Sequence, residues 1–215
     1  MPVKLGESIN PAATKRRILT VAERIFYNQG IASVGVAEIA DAAGASKASL
    51  YKNFGSKEGL VEAALLDRSD RVHRWLRDGL AQLAPGRARV LGLFDLLLDW
   101  FADDGFHGCG LVSAAAEQRA SDPVVTDLAR RHLQAYRELV MELLAEMPPT
   151  TAVRLDPNVT ADRLLLLIEG ATVISAIDGN PEAGRAARVW AESLLDQPPA
   201  GPNATQPQSL ANVRA

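Results

Sequence analysis

From Arg17 to Phe54 the apolar positions fall three and four apart in three short runs, each broken from the next by a glycine. Ile18, Ala22, Ile25 and Phe26 share one face of a predicted helix that stops at Gly30. Val36, Ile39, Ala40 and Ala43 line a second helix, and Gly44 follows it. A glycine there can take the left-handed conformation that ends one helix and lets the next leave at a steep angle. Ser46 then offers a side-chain oxygen as N-cap of a third helix beginning at Lys47, anchored by Leu50 and Phe54. Two short helices about a glycine turn, the second with a polar and cationic surface, form the pattern of a helix-turn-helix. Ser56 caps a fourth predicted helix, with Glu58 in its first turn and Val61, Leu65, Val72, Leu76 and Leu83 inward, running to about Ala84 before Pro85-Gly86.

Helical periodicity continues to about Asp196, and no segment alternates like a strand. A helix is expected over about 87–103, then a glycine-rich break at DDGFHGCG and a short helix of small residues to about Ala120. Asp122-Pro123 opens another that reaches Met147, and Asn180-Pro181 opens a last one ending near Asp196. The 160–178 segment is apolar nearly all round, so it must be covered on both sides. A second copy of the chain is the simplest cover, with Leu164, Leu167, Ile168, Ala171, Ile174, Ala187, Trp190 and Leu194 as the dimer interface; burial within one large core is the other arrangement open to it. Residues 197–215 are proline-rich, almost uncharged and expected to be disordered.

Charge changes the picture at one end. The 215-residue chain has a net charge of −3, but residues 1–60 carry eight Lys and Arg against five acids, and all five lysines lie within the first 57 residues. Attraction for phosphate is thereby confined to the helix-turn-helix end, where a basic arm at Lys15-Arg16-Arg17 can reach a DNA backbone. A single cysteine excludes an intramolecular disulfide, no signal peptide is evident, and the apolar run Leu164–Ile168 is cut by Glu169 long before membrane-spanning length. A cytoplasmic protein is expected.

Arg17-Ile18-Leu19, Ala22, Ile25-Phe26, Gly30, Val36, Ile39-Ala40, Ala43-Gly44, Ser46-Lys47, Leu50-Tyr51, Phe54 and Lys57-Glu58 together resemble the N-terminal domain of TetR-family transcriptional regulators. The resemblance implies an all-α fold, with an N-terminal three-helix helix-turn-helix domain (12–72), a C-terminal helical ligand-binding and dimerisation domain (73–197), and a tail (198–215). It also implies a homodimer, usually a repressor, released from DNA by a small-molecule effector. One departure is visible: where the family carries Ser or Thr before the second helix, this chain has Val34-Gly35, an N-cap with no side-chain hydrogen bond.

In the groove-facing helix, Lys47 and Lys52 can donate to phosphate or guanine, Ser49 and Asn53 to bases or backbone, and Ala48 can touch a thymine methyl, with Ser46 at the helix start. By the resemblance, Tyr51 and Lys57 are phosphate contacts. One monomer covers too few base pairs for tight binding, so a palindromic operator read by a two-fold dimer is expected. Candidates for an effector pocket are Trp75, Trp100, Phe101, Phe106, Leu111, Tyr136 and Met141, with Ser113, Glu117, Arg119 and His132 as polar orienters. Such residues are equally what a plain core contains. They suit an apolar or aromatic effector. Glu117, alone among Ala, Val and Leu on its helix, must face water or have a partner. Cys109 and His107 are two apart on a turn without a third orienting group, which argues against a thiol enzyme. The scattered histidines 73, 107 and 132 give no zinc spacing, and no cofactor or metal is expected. A constitutive DNA-binding protein without an effector is the alternative to a ligand-released repressor.

Overall fold

The computed structural model describes residues 11–118, 122–148 and 156–196. Among them nine helices and no strands are found: α1 Pro11–Gln29, α2 Val36–Ala42, α3 Lys47–Phe54, α4 Lys57–Ala81, α5 Arg87–Phe101, α6 Gly110–Gln118, α7 Pro123–Ala145, α8 Pro157–Asp178 and α9 Glu182–Leu195. The expected tail and Arg119 lie outside the described residues.

The helices form two compact units. One joins the described residues up to Asp70 with those of 110–129; the other joins 71–109 with those from Arg130 onward. Helices α4 and α7 each have residues in both, and α6 groups with the N-terminal helices, a return that a division at residue 72 does not include.

In the first unit α1 packs on α2 and α3, and α2 on α3. Ile18, Ala22, Ile39, Leu50 and Leu60 are fully buried there, with Val34 and Ala43 beside them. Each large aliphatic removed from water contributes about 1.5–3 kcal/mol, which is what holds helices too short to be stable alone. Gly44 has φ 58°, the left-handed turn expected of it. Ser46 Oγ accepts from Ser49 N at 3.0 Å and Ser56 Oγ from Gly59 N at 3.0 Å, so both serines cap. Glu58, hydrogen-bonded to its own backbone N–H and to Ser56, is held below the usual carboxylate range.

In the second unit α8 and α9 pack on each other and both pack on α5. Asp156 accepts from the Asn158 and Val159 amides with Pro157 in the first turn, so α8 begins three residues before the expected start at 160. Leu83, expected inward on α4, lies beyond the helix end and is exposed.

Among the described residues the apolar helix α8 is covered on one side. Leu164, Ile168, Ala171, Ala187 and Leu194, expected at a dimer interface, are buried in the unit's own core, and Leu167 packs against it. Of the eight expected interface residues, Ile174 and Trp190 are open. The open face instead gathers Leu166 (60% exposed), Val173, Ile174 and Ile177 (78%) of α8 with Val189 and Trp190 (61%) of α9. The correction has a simple cause: a helix apolar at every angle gives no signal as to which side its own core takes.

Candidate nucleic-acid interface

Helix α3 is eight residues long and fully buries only Leu50, which leaves one side of it open. Lys47, Ala48, Tyr51 and Lys52 are exposed, as is Ser46 at its start. Ser49 and Asn53 are half-buried, and the Asn53 amide donates to the Ser49 carbonyl at 2.7 Å, turned along its own helix. The chemistry presented outward is therefore two ammonium groups, a phenol, a hydroxyl and a methyl, a set suited to phosphates and to base edges in a major groove.

The basic run in α1 has contacts within the unit and remains exposed. Arg17 Nε donates to the Ala43 carbonyl at 2.6 Å, closing the C-terminal end of α2. Arg16, its side chain 69% exposed, pairs with Asp67 at 3.1 Å, and the Lys15 ammonium stands 5.7 Å from the Phe54 ring centroid. Lys57, by resemblance a phosphate contact, gives one N–H to the Ile31 carbonyl at 2.7 Å.

Glu117 was a candidate orienter of an effector. Its carboxylate instead accepts from Ile31 N at 2.9 Å and Ala32 N at 2.6 Å, on the turn between α1 and α2. Sequence flagged its need for a partner; nothing local pointed to one 86 residues away.

The remaining effector candidates divide. Leu111 and Ser113 lie on α6, in the same unit as α3. In the other unit Trp100, Phe101 and Phe106 form an aromatic cluster with centroids 4.8–5.8 Å apart. Met141 packs against that unit's core, and Trp75 is exposed. His132 and Tyr136 are buried, and the structure adds a residue not among the candidates: His73 Nε2 lies 3.1 Å from His132 Nδ1, and its ring sits edge-on to Tyr136. Two of the three histidines read as scattered are thus neighbours. Among the described residues no three His, Cys, Asp or Glu side chains cluster as metal ligands would, and no helix is long and apolar enough to cross a membrane.

A three-helix unit that seats a short, open, cationic helix behind a capped glycine turn defines the class of helix-turn-helix DNA-binding proteins. The comparisons are narrower. The model for "Bacterial regulatory proteins, tetR family" matches residues 18–64, and that for "Tetracyclin repressor-like, C-terminal domain" matches 86–190. The chain belongs to the TetR family of DNA-binding transcriptional regulators, and its class is that of a regulator, not an enzyme. It is 26% identical over 165 residues to the HTH-type transcriptional repressor KstR2 of Mycolicibacterium smegmatis, covering 77% of this chain and 78% of that one. It is likewise 26% identical over 159 residues to the transcriptional activator FasR of the same organism, covering 74% and 67%. Among solved structures, SCO4454, a TetR-family regulator from Streptomyces coelicolor, aligns with a TM-score of 0.75 at 26% identity over 88% of this chain and 96% of that one.

Proposed function

We propose that the protein is a homodimeric repressor that binds a palindromic operator and is released from it by a small-molecule effector. The observation that carries the DNA-reading half is the open face of α3, where Ser46, Lys47, Ala48, Tyr51 and Lys52 meet the groove, with the half-buried Ser49, Asn53 and Lys57 at its edge. Two such helices in successive major grooves, roughly 34 Å apart, supply the contact area that one lacks. The dimer forms through Leu166, Val173, Ile174, Ile177, Val189 and Trp190, six large apolar side chains exposed on two helices that pack on each other.

The effector occupies the second unit, where Trp100 and Phe106 offer aromatic surface and His73, His132 and Tyr136 offer polar groups in an otherwise apolar interior. It releases the operator by binding more tightly to the state that holds DNA weakly. Repression is the reading for the cytoplasmic protein, since a regulator that leaves its operator when liganded most simply blocks transcription when bound.

Fluorescence anisotropy on the DNA upstream of its own gene, against a scrambled fragment and across a salt series, tests the reading. Tight, salt-sensitive binding to the native fragment alone is expected. Lys52→Ala should reduce the salt slope by about 1 if that lysine meets a phosphate. Equal, weak binding to both fragments would overturn the proposal for this DNA, and effector-insensitive binding would favour a constitutive binder.

A further inference from the structure

The turn between α1 and α2 is gripped by opposite charges on the two edges of one peptide group. Lys57 Nζ donates to the Ile31 carbonyl at 2.7 Å, and Glu117 Oε1 accepts from Ala32 N, the other edge of the Ile31–Ala32 peptide, at 2.6 Å. The second Glu117 oxygen accepts from Ile31 N at 2.9 Å. Two successive N–H groups converge on one carboxylate because Gly30 has φ 82°, the left-handed step that turns consecutive amides into an anion-binding nest. The fit is close: a Cβ at Gly30 would stand 3.2 Å from Glu117 Oε2.

Two further observations mark this contact as more than surface trim. Glu117 occupies the last turn of α6, where the helix dipole disfavours an acid, so its placement is not explained by α6 itself. The helix that the turn feeds, α2, has Gly35 as N-cap and no side-chain hydrogen bond there, so its start lacks the local device that fixes most helix beginnings. Local ties exist, Ser33 Oγ to the Gln29 carbonyl at 2.6 Å and Gln29 Nε2 to Glu38 at 3.2 Å, and like Glu117 and Ala32 they are exposed. Of the three bonds to the turn, those at Ile31 N and the Ile31 carbonyl are the half-buried ones. At the other end of α6, Gly110 lies against Arg68, whose guanidinium covers the Tyr27 ring at 3.8 Å and pairs with Glu23 at 3.3 Å. Helix α6 is therefore hydrogen-bonded to the α1–α2 turn at its C-terminal end and packed close to Arg68 and Tyr27 at its start.

We propose that Glu117 is a positioning residue for DNA reading: its carboxylate fills the nest at residues 30–32 and, with Lys57, holds the turn that sets α2, and through α2 the reading helix α3. The proposal rests on α3 being the DNA-reading helix. Glutamine at 117 keeps one acceptor but turns an NH2 toward the second backbone N–H, and alanine leaves both without a partner.

The test is amide hydrogen exchange and operator anisotropy on the full chain and on Glu117→Gln and Glu117→Ala. Exchange at Ile31 and Ala32 is expected to rise roughly tenfold or more, with amides of α8 and α9 unchanged, as for local opening. Operator affinity is expected to fall roughly tenfold as the competent arrangement becomes a minor population, while the salt slope stays the same because no phosphate contact is lost. A carboxylate role further predicts that formate, compared with chloride at equal ionic strength, restores affinity in Glu117→Ala and not in the wild type. Unchanged exchange at 31 and 32 would overturn the clamp. Raised exchange with operator affinity within twofold of wild type would overturn the positioning role, and loss of protection throughout α1–α3 would recast Glu117 as a residue that merely holds the fold. Absence of sequence-specific binding by the wild type would instead strike the DNA-reading premise, with the exchange data still deciding whether the clamp exists.

Discussion

Helices α3 and α8 each leave a face open, and the two faces could hardly differ more. Helix α3 anchors eight residues through Leu50 and shows ammonium, hydroxyl and phenol groups to solvent. Helix α8 sinks Leu164, Ile168 and Ala171 into a core and shows Leu166, Val173, Ile174 and Ile177. An open polar face is stable in water whether or not a partner arrives. An open apolar face of that extent is not, so the first can be a reversible contact while the second calls for a standing one.

Charging the apolar face breaks the comparison most sharply. Ile177→Asp with Trp190→Asp alters two exposed side chains, so the chain should still fold, yet analytical ultracentrifugation should show a monomer. Operator affinity should then fall roughly a thousandfold, about 4 kcal/mol, because one reading helix remains per particle. A variant that stays dimeric would move the interface elsewhere.

The buried side of the same helix should respond in the opposite way. Leu164→Ala is expected to cost about 3 kcal/mol in chemical denaturation, through lost burial and a cavity, with the oligomeric state of the folded protein unchanged.

Between these two sides sits Glu169, half-buried, its carboxyl pushed up to about 7 by burial. The folded chain thus holds that proton more tightly than the unfolded chain does, so stability fully present below about pH 4.5 is lost as the pH rises to about 7. Glu169→Gln should stand closest to the wild type at about pH 4 and gain on it by about 1–2 kcal/mol of unfolding free energy by about pH 8, less than a fully dry site would give.

The smallest effect belongs to α3. Ser46→Ala removes the cap on Ser49 N and should cost about 1 kcal/mol, seen as a lower Tm and weaker operator binding without a change of dimerisation.

The same contrast explains what could be read from the chain alone. In the N-terminal helices every described boundary except the start of α2 has a local cause, Gly30, Gly44, Ser46, Gly55 or Ser56, and the structure sets them where those residues stand. The open face of α3 follows from Leu50 and Phe54, four apart on one side of an otherwise largely polar octet. In α8 the run Leu164–Ile168 offers apolar residues at nearly every angle, so its core side depends on α5 and α9, not on its own pattern. Its start had a local signal, Asp156-Pro157, of the same kind that marks α7 at Asp122-Pro123. Contacts between distant residues were out of reach: Glu117 meets a turn 85 and 86 residues away, and His73 meets His132 at a separation of 59.

The grip on the α1–α2 turn also has an evolutionary consequence. It holds peptide groups, so it is blind to which side chains stand at 31 and 32, and drift there is limited only by packing. Positions 30 and 117 are different, because the space a side chain at 30 would take is the space the acid's oxygens occupy. Related chains that keep an acid at the position of Glu117 should keep glycine at that of Gly30. Those that lose the acid are released to accept asparagine, the other residue at ease with a positive φ, so the two positions should change together across the family.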